Sequence, residues 1–108
     1  EIYDDLVVKI DEIAERILTL GHTPANAFSQ YLATSQIQED IGVTSAQQCL
    51  TGTLDGFKTL LKQQREILAL ANGFDDEGTA SQMSDYIKEQ EKLVWMFSAA
   101  ATCGVCQQ

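Results

Sequence analysis

An all-α chain is predicted by three features of the sequence. Apolar residues recur at three- and four-residue steps through long windows, which is the repeat of one helix face. One residue in 108 is proline. Few stretches read as strand, for want of apolar and polar alternation.

The first helix is expected over residues 1–20, where Ile2, Leu6, Ile10, Ile13, Ile17 and Leu20 form the apolar face. Gly21 stops it, because glycine enters the left-handed conformation at no steric cost. HTPANAFSQYLATS then reads as a connection carrying a short helix. Thr23 is its expected cap and Pro24 its first helical position, with Phe28, Tyr31 and Leu32 pinning it to the main body. QIQEDIGV continues the loop. A second long helix starts at Thr44 or Ser45, since Thr44 and Gln47 match a capping box. Its expected buried stripe is Cys49, Leu50, Leu54, Phe57, Leu60, Leu61, Ile67, Leu68 and Ala71, and Asn72–Gly73 ends it. Gly52 and Gly56 inside it each cost about 1 kcal/mol against alanine; their spacing suggests that another helix packs closely there, the alternative being two tolerated glycines.

After the acidic turn FDDEGTAS, a third long helix is expected to start between Glu77 and Thr79 and run to about Ala100. Met83, Tyr86, Ile87, Gln90, Leu93, Val94 and Phe97 would face inward, and Trp95 and Tyr31 would pack in the core. The predicted organisation is one domain over residues 1–102 and a flexible tail over 103–108. Three long helices do not close a bundle. A crossover carrying a small helix between the second and third of four helices is an established topology, so a first helix is expected upstream of Glu1, which opens in mid-pattern.

Seven basic residues face sixteen acidic ones, a formal charge of −9. Phosphate binding draws on Lys and Arg, and no basic cluster or tail is present, so DNA binding by these residues is not expected. The acid excess attracts cations, although solubility alone would account for it. No apolar run approaches the ~20 residues of a membrane span. Three cysteines, an odd number, fit a reducing cytoplasm better than a disulfide framework.

EIYDDLVVKIDEIAERILTLGHTP, QYLATS, FDDEGTASQMSDYI and EKLVWMF together resemble the Dps (DNA-protection-during-starvation) family of ferritin-like proteins. The resemblance covers nearly the whole chain, from within the family's second helix to the end of its fourth. It implies a ferritin-like four-helix bundle topology, here three long helices plus the short crossover helix. It also implies a hollow homo-dodecamer that oxidises Fe(II) with hydrogen peroxide or dioxygen, stores ferric mineral and counters oxidative stress. In the family, ferroxidase sites lie between subunits. One subunit supplies an Asp and a Glu in the pattern D-x-x-x-E, and the other supplies histidines from the first helix. Asp11 and Glu15 occupy that pattern, so this chain would give the carboxylate half of an iron site. Acidic residues near the start of the last helix line threefold pores that admit Fe(II), and Asp76 and Asp85 are the candidates. A chain lacking the first helix would expose an apolar groove and is expected to dimerise or assemble differently.

The residues themselves bear on each assignment. Side chains four apart share a helix face, with Cβ atoms about 5–6 Å apart, and paired carboxylates suit a hard cation. The same spacing also describes a solvated face with Glu12 and Arg16 as neighbours, and Asp4 reads as a surface acid near it. Asp75, Asp76, Glu77 and Asp85 suit the positive end of a helix dipole, a role that needs no metal. His22, the one histidine, reads as a surface loop residue. Cys103 and Cys106 form C-x-x-C without the second pair a zinc site needs. No phosphate-binding or hydrolase motif is present. The leading reading is a ferroxidase and iron-storage protein. The alternative is a non-enzymatic acidic helical interaction domain.

Overall fold

A computed structural model describes residues 2–37, 42 and 45–106, with side chains to residue 100. The described residues contain no strand. Their helices are α1 (Ile2–Thr19), α2 (Phe28–Thr34), α3 (Ala46–Gly73) and α4 (Glu77–Cys106). The all-α expectation is met. The chain groups into two compact units, residues 1–35 and 36–108.

In the first unit, α1 ends as its glycine predicts. Gly21 has φ +90°, its N–H donates to Leu18 O at 3.0 Å, and the His22 N–H donates to Ile17 O at 3.0 Å. These two bonds make a Schellman motif, which satisfies carbonyls the helix end leaves open. An L side chain is strained at that φ. Gly21→Ala is expected to cost about 1–2 kcal/mol, read as a lower denaturant midpoint with an unchanged slope.

The apolar stripe of α1 is only partly covered: Ile10, Ile13 and Leu20 are exposed. The buried residue of this helix is Lys9, at 6% exposure. Its ammonium donates to both carboxylate oxygens of Asp5, at 2.8 and 2.9 Å. A buried ammonium needs such pairing. The four-residue Asp-to-Lys spacing is legible in the sequence.

The short helix starts four residues later than Pro24 suggested. Ala27 is its N-cap, and residues 22–26 carry no helix. Alanine has no side-chain acceptor, so the cap is made from the other direction. Gln30 Oε1 accepts from the N–H groups of Asn26 (2.9 Å) and Ala27 (3.2 Å). That is the glutamine half of a capping box. Phe28, Tyr31 and Leu32 are all exposed, contrary to their expected pinning role and to Tyr31's expected place in the core. The Tyr31 hydroxyl instead donates to Ala25 O at 3.0 Å, and its ring meets Phe28 edge-on at 6.2 Å.

The second unit is an antiparallel hairpin of α3 and α4. Ser45 caps α3 by accepting the Gln48 N–H at 3.0 Å, while Thr44 lies outside the described residues. Phe57, Leu61, Ala71, Ala80, Met83 and Tyr86 are its buried apolar core. The Phe57 and Phe97 rings stack at 6.4 Å. Arg65 and Glu91 bridge the helices outside at 2.8 Å.

Four expectations for this unit are corrected. Cys49 and Ile67 of the α3 stripe are exposed, while Gln64 is buried. A Cβ added at Gly56 would meet nothing within 4 Å, so no close helix approach requires that glycine. Trp95 is 69% exposed, because it lies off the face that α4 turns toward α3. The helix α4 runs to Cys106 rather than stopping near Ala100. The side chains of Cys103 and Cys106 lie outside the described residues.

Asp75, not Gly73, takes the left-handed conformation after α3, with φ +57°. The Asp76 N–H donates to Ala71 O at 2.8 Å and the Asp75 N–H to Asn72 O at 3.3 Å, a second Schellman-type ending. Aspartate tolerates this conformation better than most residues. The chain therefore turns from one long helix into the next within residues 74–76.

Candidate metal centre

The regular geometry of α1 brings Asp11 and Glu15 onto one face. At about 100° and 1.5 Å per residue, they stand about 40° apart around the axis and about 6 Å apart along it. Both are exposed. Among the described residues, neither carboxylate has an ion pair or hydrogen bond. Asp4, also exposed, lies on the same side two turns earlier. Of the cations on α1, Lys9 projects about 160° away from Asp11 and is held by Asp5, and Arg16, next to Glu15 in sequence, stands about 100° from it around the axis. The two like charges therefore repel by a few tenths of a kcal/mol, and neither is engaged by a cation of this helix. Together they present hard oxygen donors to solvent, the ligand type that suits Fe(II) or Mn(II).

Within one chain the pair is not a complete metal site. No group of three or more His, Cys, Asp or Glu side chains among the described residues can hold a metal ion. His22 is exposed beyond the Gly21 turn and joins no such group. The two pore candidates are not brought together. The Asp76 carboxylate caps α4, with Oδ1 accepting the Thr79 N–H at 3.2 Å and Oδ2 accepting the Thr79 hydroxyl at 2.6 Å. Asp85 is exposed, about 13 Å further along α4. One subunit cannot chelate a cation with both.

A third feature of α1 escaped notice in the sequence. Val7, Val8 and Leu18 are exposed, and their positions flank the Asp11–Glu15 face on both sides by the same 100° rule. Nothing in the apolar repeat marked them, because they fall outside its stripe.

Comparison with known proteins places these residues in a family. Residues 1–102 match the ferritin-like domain. A Haemophilus influenzae protein is 72% identical over 106 residues, covering 98% of this chain and 65% of the relative. The DNA protection during starvation protein of Porphyromonas gingivalis is 42% identical over 102 residues, covering 94% and 64%. The crystal structure of a Vibrio cholerae Dps protein, described as a ferritin-like diiron-carboxylate protein, superposes with a TM-score of 0.89 at 55% identity, covering 91% of this chain and 62% of that one. The chain thus spans somewhat under two thirds of the length of these relatives. No described helix is long and apolar enough to cross a membrane. By sequence and by fold, this chain belongs to the ferritin-like proteins, in the Dps family.

Proposed function

We propose that this chain supplies the carboxylate half of inter-subunit Fe(II)-oxidising sites in a hollow cytoplasmic homo-oligomer that stores the ferric product. The observation that carries the reading is the unpaired, exposed Asp11–Glu15 pair on α1 of a Dps-family chain. Fe(II) is the substrate. Each ion gives up one electron, and peroxide or dioxygen receives the electrons. Asp11 and Glu15 would hold the ion and offset the charge gained as it becomes Fe(III). The remaining ligands would be imidazoles of a neighbouring copy. The exposed apolar residues beside the pair support burial of this face in an assembly, since contiguous exposed apolar surface marks contact sites. The interaction-domain alternative has no observation of its own in its favour.

The direct test is an Fe(II) soak of crystals of the assembled protein. An iron anomalous peak within bonding distance of both Asp11 and Glu15, with imidazole from a second copy opposite, is the expected result. Side chains pointing into bulk solvent with no peak would refute the reading.

For iron admission, Asp85 is the stronger candidate, because the Asp76 carboxylate is already engaged as a cap. Asp76→Ala is expected to lose about 1 kcal/mol of stability, and Asp76→Asn to retain most of it. Asp85→Asn should leave stability within ~0.5 kcal/mol while slowing initial iron uptake by the assembled protein. Thermal melts and the initial rate of ferric absorbance check both.

A further inference from the structure

Two glutamines sit in the otherwise apolar seam of the α3–α4 hairpin. Gln90 is 1% exposed and Gln64 8%, and neither Oε1 atom has a hydrogen-bond partner among the described residues. The stacked Phe57 and Phe97 rings set their level. Gln64 lies seven residues after Phe57, and Gln90 seven before Phe97. Seven residues make about two turns, and the helices are antiparallel, so both carboxamides fall in one layer. Another equal step reaches Ala71 and Met83, which are also buried. The flanking layers by the same register are Leu61 with Leu93 and Leu68 with Tyr86.

A buried carbonyl without a donor loses its water hydrogen bonds and gains nothing in return. A carboxamide carries both donors and an acceptor, and turning it over exchanges O and N without changing its shape. Each glutamine is therefore the natural partner of the other.

We propose that Gln64 and Gln90 hydrogen-bond across the seam as a matched polar layer that pairs α3 with α4 rather than with another apolar helix. If α3 were laid on the Leu6–Ile13–Ile17 stripe of a second copy's α1, it would bury the Gln64 amide unpaired. Selectivity of this kind is what a single polar layer confers on coiled coils. In the homo-oligomer proposed above, on which this part of the inference rests, such a layer discriminates against mispairing with apolar helix faces of other copies.

The test compares Gln64→Leu, Gln90→Leu and the double variant, with melting read by circular dichroism and association state by light scattering. Each single variant strands the opposite amide and is expected to melt several degrees lower, about 4–8 °C. The double variant removes both amides and should recover the original midpoint or exceed it, while forming mixed oligomeric species. Additive losses, or single variants with unchanged midpoints, would overturn the proposal. A second measurement requires no variant: slow hydrogen exchange of the Gln64 and Gln90 side-chain amides is expected, and exchange as fast as that of an exposed glutamine overturns it. Tyr86→Phe is the control. The coupling between the glutamines should survive it, and loss of coupling would assign the donor to the phenol instead.

Discussion

Asp11→Ala and Glu15→Ala, each placed in the assembled protein, are expected to abolish rapid Fe(II) oxidation. Removing a group that merely orients a metal ligand costs about 10- to 100-fold in affinity or activity. On the proposed assignment each of the two residues is itself a ligand, so its loss should cost at least the upper end of that range. Stability should move the other way. The two carboxylates repel in the absence of metal, so each substitution relieves a few tenths of a kcal/mol, and the metal-free melting temperature should hold or rise slightly. Stopped-flow absorbance of the ferric product and parallel thermal melts read both quantities. An oxidation rate equal to that of the unmodified protein would eliminate the carboxylate assignment. A fall in rate accompanied by a large fall in melting temperature would show damage to the fold rather than to the site.

Phe57→Ala should give the largest stability loss of any single substitution in the hairpin. Phe57 is 3% exposed and stacks on Phe97 across the seam. Truncating a buried phenylalanine costs about 3–5 kcal/mol in lost transfer energy and cavity. Small domains hold only about 5–15 kcal/mol in total, so the variant should sit near unfolding at 37 °C. Trp95→Ala is the informative contrast. Side-chain size alone would rank it worse, yet the indole is exposed, and the unassociated chain should change by less than ~0.5 kcal/mol. Urea titrations of both variants at low protein concentration check the ranking. Comparable losses would mean that Trp95 is packed after all.

How far each feature could be read from the chain depends on whether its cause is local. Helix existence and the α1 stop follow from a 3.6-residue repeat and one glycine, so both were legible. The start of α2 is an exception: its cause is also local, but two local signals compete, and Gln30 reaching back to two N–H groups prevails over the cap and first turn that Thr23 and Pro24 suggest. Gln90 was legible as inward-facing from its spacing along α4. Gln64 was not, since a glutamine between apolar residues reads equally well as a solvated position.

The sequence by itself determined that the chain is all-helical, where its long helices lie, and that Asp11 and Glu15 share a face of α1. Those properties depend on neighbours within a few residues along the backbone, and helical geometry converts spacing directly into direction. Tertiary structure alone decided which stripe of α3 meets which stripe of α4, and hence that Gln64 and Gln90 are buried while Trp95 is not. Burial of that kind depends on what another segment brings close, and an apolar residue looks the same in sequence whether a partner covers it or water does.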